Sequence, residues 1–266
     1  MASTFFGLHI GSSALSSFQV ATNTTANNIA NVKTTGYTRQ EATLQAKDAI
    51  NVTARYGSVG TGVTVTSIKQ QRDLYYDNKY WENNSCYGRY EQKLYYMEQI
   101  QNYFKDNGSS VKGFSSVFSQ MFSDLDTLRS KPSDKTVRNQ FISSAQSLCT
   151  YFNQMSDNLS KLQDDCNEEI RNNVDKINSI SEKISLLNKE INQIETGTGV
   201  EAGSLRDERA NLIDSLSKIV NVSYNETEVQ NTNGDNLGGT NFSLYINGEK
   251  AVSYTHLRAH ETSQDL

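Results

Sequence analysis

Two histidines stand four residues apart in His256-Leu-Arg-Ala-His260, with Glu261 beside them. On a helix such a pair shares one face and could bind a single metal ion. No third ligand accompanies the pair and no apolar pattern packs the segment, so no metal is expected there. The run Arg206-Asp207-Glu208-Arg209 offers acid–base groups. It stands at the start of a helical pattern and is expected to be a solvated first turn with i,i+3 pairing. Gly57, Gly60 and Gly62 form a GxxGxG pattern. No Lys-Ser/Thr follows, so the pattern reads as a turn and not as a phosphate loop. Cys149 and Cys166 fall on one helical stretch, roughly 25 Å apart and beyond disulfide reach. With Cys86 they read as small apolar fillers of a seam. No Gly-x-Ser-x-Gly, Cys–His pairing or metal-spaced cysteine set occurs. The expectation is a protein that is not an enzyme and has no cofactor.

The elements that would carry such residues are long. Hydrophobic residues make up 36% of the 266 and there is one proline, Pro132. Little apolar mass cannot fill a thick core, but it can line a thin seam between long helices. Proline costs roughly 3 kcal/mol inside a helix, so its near absence permits long ones. The net charge is −5, with five Lys/Arg and two Asp/Glu in the first 70 residues. No basic cluster points to nucleic acid, and no run reaches the ~18 apolar residues of a membrane span. The first Lys or Arg is Lys33, so no positive region precedes an apolar core as in a cleaved secretory signal.

Periodicity predicts a helix over 3–31 with the stripe Leu8, Leu15, Phe18, Thr22, Ala26 and Ile29, and an opposite face of Ser, Thr and Asn without charge. Such a helix is suited to packing against protein on more than one side. Gly36 serves the turn that follows. Residues 43–70 read as short extended segments, with Val63, Val65 and Ser67 on one face. A tyrosine-rich helix spans 71–106, and a shorter one runs from Phe114 to Arg129. Ser133 or Asp134 caps the longest, about 134–195. Its positions Phe141, Ala145, Leu148, Phe152, Met155, Leu159, Leu162 and Cys166 alternate by three and four, the coiled-coil rhythm. The eleven residues from Cys166 to Ile177 relax that rhythm before Ile180, Ile184, Leu187, Ile191 and Ile194. Ser204 and Asp207 suggest a capping box for a helix over 205–218. Val220–Tyr224 alternates as a strand. Phe242, Leu244 and Ile246 alternate before Asn247-Gly248, a type I′ hairpin turn. The fold class is therefore mainly α: an elongated, coiled-coil-like long-helix bundle with short β-segments and a small α+β portion near the C-terminal end.

Residues 26–40, ANNIANVKTTGYTRQ, closely resemble the N-terminal signature of the bacterial flagellar axial proteins, the family of rod, hook and hook-associated subunits. Residues 60–81 and 204–224 are similar to two passages of its hook-associated branch, found where hook meets filament. The resemblance implies a structural component of the flagellum, joining hook and filament by subunit packing. It also implies self-association into a ring, contact with the hook protein and a second junction protein, and an export chaperone. Type III export without a cleaved signal peptide and a place outside the cell in the flagellum follow from it, with no nucleic acid or membrane partner. The assembly interface it implies comprises Leu8, Leu15, Phe18, Asn27, Asn28, Ile29, Asn31, Gly36 and Tyr37. Residues 1–44 would be loosely ordered in the free monomer and fold on assembly. The domains expected are 1–44, an axial helix and assembly motif; 45–70, a short β segment; 71–199, a long-helix rod; and 200–252, the start of a small α+β domain. The family continues past this point to a terminal amphipathic helix. Residues 253–266 instead resemble translated adapter read-through and are expected to be non-native. A cytoplasmic coiled-coil interaction module, or a hook or rod subunit, are the alternative readings.

Overall fold

The computed structural model describes residues 5–51, 57–106, 113–230 and 236–252. The His256/His260 pair and the tail 253–266 lie outside the described residues. The chain divides into two compact units. Unit 1 takes the chain up to Cys86 and again from Ile177, and unit 2 takes Tyr87–Lys176. The long stretch 71–199 thus contributes to both. The protein is mainly helical with short antiparallel sheets, as its sequence indicates.

Unit 1 opens with α1, Phe6–Ala30. The strands β1 (Gln40–Ala46) and β4 (Val63–Gln70) pair antiparallel, with an irregularity between Thr43 and Leu44. Between them β2 (Ile50–Asn51) pairs with β3 (Ser58–Val59). Val63, Val65 and Ser67 are all half-buried, but Thr64 is half-buried as well, so the alternation expected of β4 holds only from Val65 to Ile68. The helix α2, Leu74–Tyr103, begins in unit 1 and brings Trp81 to the core.

The core of unit 1 gathers residues from distant parts of the sequence. The last turns of α4 (Lys135–Glu195, 61 residues) supply Ile180 and Ile184, and α5 (Gly203–Ser217) supplies Ile213 and Leu216. The sheet β5-β6-β7 (Val222–Gln230, Asn236–Ile246, Glu249–Val252) adds Val222, Phe242, Leu244 and Val252. Tyr224 stacks on Phe242 with ring centroids 4.9 Å apart, within the favourable range for aromatic pairs. The β6–β7 turn has positive φ at both central residues, Asn247 (51°) and Gly248 (88°), as a type I′ turn requires.

In unit 2, α3 (Phe114–Ser130) sets Phe114 in tilted contact with Tyr151 and Phe152 of α4, with ring centroids 6.3 and 5.9 Å apart. Across the seam from α2, Tyr96 and Gln92 donate hydrogen bonds to the Glu169 carboxylate. Asp134 starts α4 by accepting the Thr136 amide at 2.8 Å. The expected stripe of α4 is half-buried at Phe141, Ala145, Leu148, Met155, Leu162 and Cys166 but exposed at Phe152 and Leu159. Every fully buried apolar side chain among the described residues belongs to unit 1. The cysteine reading needs correction. Only Cys166 is half-buried; Cys86 and Cys149 are exposed and fill no seam, because they fall on outward faces of their helices.

Candidate assembly interface

The helix α1 is inverted relative to an ordinary surface helix. Ser17 and Thr24 are its buried residues, and the Ser17 hydroxyl donates to the Val63 carbonyl of β4 at 3.1 Å. Leu8, Leu15, Phe18 and Ile29 are 58–70% exposed. At 100° per residue these four lie within one sector, opposite Ser17, Thr24 and Asn28. The reason is size: small hydroxyl residues let the helix lie close on the sheet, where bulky Leu and Phe could not fit. Residues 5–32 carry no Lys, Arg, Asp or Glu, so nothing charged interrupts the apolar face.

The exit of α1 is a knot of amides. Asn28 binds Gln40 through both backbone groups, accepting its N–H at 3.0 Å and donating to its carbonyl at 2.8 Å. The same Asn28 oxygen accepts the Tyr37 hydroxyl at 2.8 Å, and Tyr37 in turn accepts from Asn27 at 3.1 Å. Asn31 closes back onto Asn27, and Thr34 donates to Asn31. An amide both donates and accepts, which a carboxylate or an ammonium cannot do. Burial, and then the negative charge of Asp207, hold the Tyr37 hydroxyl above its ordinary pKa. Gly36 has φ +78°, a conformation that favours glycine, and a Cβ there would sit 1.8 Å from the Asn211 side-chain amide of α5, which would have to move aside. Of the nine residues expected at the interface, Leu8, Leu15, Phe18 and Ile29 form the open face. The other five, Asn27, Asn28, Asn31, Gly36 and Tyr37, build the turn that ends it.

Beneath the knot lies a charged base that the sequence reading misplaced. The Arg206–Arg209 run is not a solvated turn: Asp207 and Arg209 are buried, Arg206 is nearly so, and only Glu208 is exposed. Arg206 pairs with both oxygens of Glu195 at 2.7 Å, and Arg206 and Arg209 both reach Glu226 at 3.1 Å. Arg209 also donates to Asn188 at 3.0 Å and lies 3.9 Å from the Phe242 ring centroid. Burial pushes the Arg209 pKa down. Burial would raise that of Glu226, but the charges of Arg209 and Arg206 outweigh it and hold the carboxyl below its usual range. The capping box at Ser204 is also absent, since α5 starts at Gly203 without a side-chain cap. Asp207 is engaged elsewhere, accepting the Thr38 N–H at 3.2 Å and the Gln70 side-chain amide at 2.8 Å.

The sequence held a signal for this base. Extending the inward stripe of α5 backward from Leu216 and Ile213 falls on Arg209 and Arg206. Alternation along β5 from Val222 and Tyr224 falls on Glu226. Opposite charges at inward positions of two neighbouring elements imply a buried pair.

Two families match this chain. Residues 97–265 match the Flagellar hook-associated protein FlgK helical domain, and residues 8–38 match the Flagella basal body rod protein family. The chain is 34% identical over 234 residues to Flagellar hook-associated protein 1 of Bacillus subtilis, covering 85% of this chain and 46% of that protein. Identity to Flagellar hook-associated protein 1 of Salmonella typhimurium is 31% over 245 residues, covering 90% and 42%. The chain therefore spans less than half the length of these relatives. The flagellar hook junction protein FlgK from Burkholderia pseudomallei shares the fold, with a TM-score of 0.54 at 20% identity over 66% of this chain and 28% of that one. With more than half of its residues matched by the helical-domain family, the chain belongs to the flagellar hook-associated protein FlgK family.

Proposed function

We propose that this chain is the N-terminal part of a structural subunit of the bacterial flagellum that joins hook to filament by subunit packing. The observation that carries the reading is the open face of α1: four large apolar side chains, no charge, and a hydrogen-bonded exit at its end. Its partners are further copies of itself in a ring, the hook protein, a second junction protein and an export chaperone. Its place is the flagellum outside the cell. Among the described residues no helix is long and apolar enough to cross a membrane. The role is one of packing and assigns no catalytic group. Residues 1–44 serve as the assembly motif, with ordering completed when neighbours cover α1, so that buried interface offsets the ordering entropy.

The test uses the full-length protein in motile cells. Leu15→Asp and Phe18→Asp, both at exposed positions, are expected to leave the monomer's stability within about 0.5 kcal/mol and to abolish incorporation into purified flagella. Normal incorporation of both variants would overturn the reading. So would finding the unmodified protein only in the cytoplasm, which would favour a coiled-coil interaction module there.

A further inference from the structure

The N-terminal module of unit 1, formed by α1, β1 and β4, contributes nothing to the buried apolar cluster. Its members begin at Trp81, and the partly buried residues packed on it begin at Ile177. The module nevertheless meets α5 and the segment before it at several points through hydrogen bonds. Thr38 N–H and the Gln70 side-chain amide both donate to the same oxygen of Asp207. The Gln70 backbone N–H donates to Glu201 at 3.0 Å, and its side chain also reaches the Gly203 carbonyl at 2.9 Å. Beside these bonds a cavity of about 340 Å³ opens between Val65, Ile68 and Gln70 on one side and Val200, Glu201 and Gly203 on the other. Part of this boundary is thus open, while Gly36 and Gly203 make its close approaches, to Asn211 and Gln40.

Within the module the contacts have a different character. Ser17 ties α1 to β4, Asn28 ties α1 to β1 through Gln40, Tyr37 of the intervening turn bonds back to Asn28, and the β1–β4 ladder runs from Gln40–Gln70 to Ala46–Val63. The module is held together by its own bonds and set on the rest of unit 1 by a few others. Hydrogen bonds fix direction more sharply than apolar contact does, and water can replace them one for one when they open.

We propose that Asp207 is a positioning residue, the centre of a polar latch with Gln70 and Glu201. The latch sets the angle of the assembly helix on α5, and its opening releases the module as one body while the core stays folded. The proposal rests on this chain's own contacts and goes beyond the junction reading; either can fail without the other.

Amide hydrogen exchange on the full chain tests it, with Asp207→Ala, Asp207→Asn and Gln70→Ala. Asparagine keeps an oxygen where both donors point, so it is expected to preserve protection, whereas alanine removes the acceptor. Gln70→Ala cuts the latch from the opposite side without touching α5. Both alanine variants are expected to speed exchange at Thr38 and Gln70 at least tenfold. The inner β1–β4 ladder, α5 and the core strands should exchange at unchanged rates. Unchanged exchange at Thr38 and Gln70 in either alanine variant would overturn the proposal. Uniformly faster exchange through the ladder, α5 and the core would also overturn it, by making Asp207 a general structural residue.

Discussion

Removing the Glu226 side chain is expected to destabilise unit 1 by about 3–5 kcal/mol, the range for breaking a buried ion pair from one side. Glu226 is the one carboxylate shared by Arg206 and Arg209. Arg206 keeps Glu195 and Glu201 as partners. Arg209, with its side chain 6% exposed, would be left with Asn188 and the Phe242 ring, neither of which carries charge. Glu226→Ala should therefore cost most, and Glu226→Gln less, since glutamine keeps the shape and one acceptor. Changing both partners, Arg209→Met with Glu226→Leu, should recover much of the loss because no lone charge remains. Urea unfolding of unit 1, read by Trp81 fluorescence, measures all three against the unaltered protein.

The same residues set the response to acid. The folded-state pKa of Glu226 lies below its ordinary value of 4.5, so its stabilising contribution is present above that value. It is lost as pH falls through the lowered folded value. Glu201 acts with the opposite sign. Burial raises its pKa despite the Gln70 amide and Arg206, so its contribution is fully present below the ordinary value and lost as pH rises through the raised one. In Glu226→Gln the loss of stability towards acid that Glu226 causes should disappear, while the opposite change owed to Glu201 persists.

Trp81→Ala is the second large effect, also about 3–5 kcal/mol for truncating a buried tryptophan. The side chain is 1% exposed, lies 5.3 Å from the Tyr224 ring and donates its indole N–H to Asp214 at 2.6 Å. It brings α2 into contact with α5, where Asn84 adds bonds to the Asp214 carbonyl and to Ser217. Trp81→Phe separates the two contributions. It keeps much of the ring and loses the N–H, which should cost about 1 kcal/mol because Asp214 retains access to water. Since Trp81 is the only tryptophan, circular dichroism must follow both variants. A loss below about 1 kcal/mol in the alanine variant would contradict the central place given to this residue.

Much of this architecture could be read from the chain. The seven-residue rhythm located α4, and Asn247-Gly248 located the last hairpin. Both depend on local periodicity or local dihedral preference, which a single segment contains. The orientation of α1 did not follow in the same way. Its stripe at Leu8, Leu15, Phe18 and Ile29 would face inward in an isolated globule. Which face a sheet takes depends on residues such as Val63 that are far along the chain. The Asp207 bonds to Thr38 and Gln70 join positions more than 130 residues apart, and no pattern within α5 announces them. Charge misled for a similar reason: Arg206 and Arg209 look solvated until Glu226 and Glu195 are placed opposite.

The absence of fully buried apolar side chains from unit 2, among the described residues, has a calorimetric consequence. Heat capacity rises on unfolding mainly because apolar surface meets water. Per residue, unit 2 has less such surface to expose than unit 1. Its melting should therefore carry a small heat-capacity step and a broad, shallow endotherm. The transition of unit 1 should be sharper and carry most of the step. The half-packed segment would then yield to heat gradually while the packed one gives way at once.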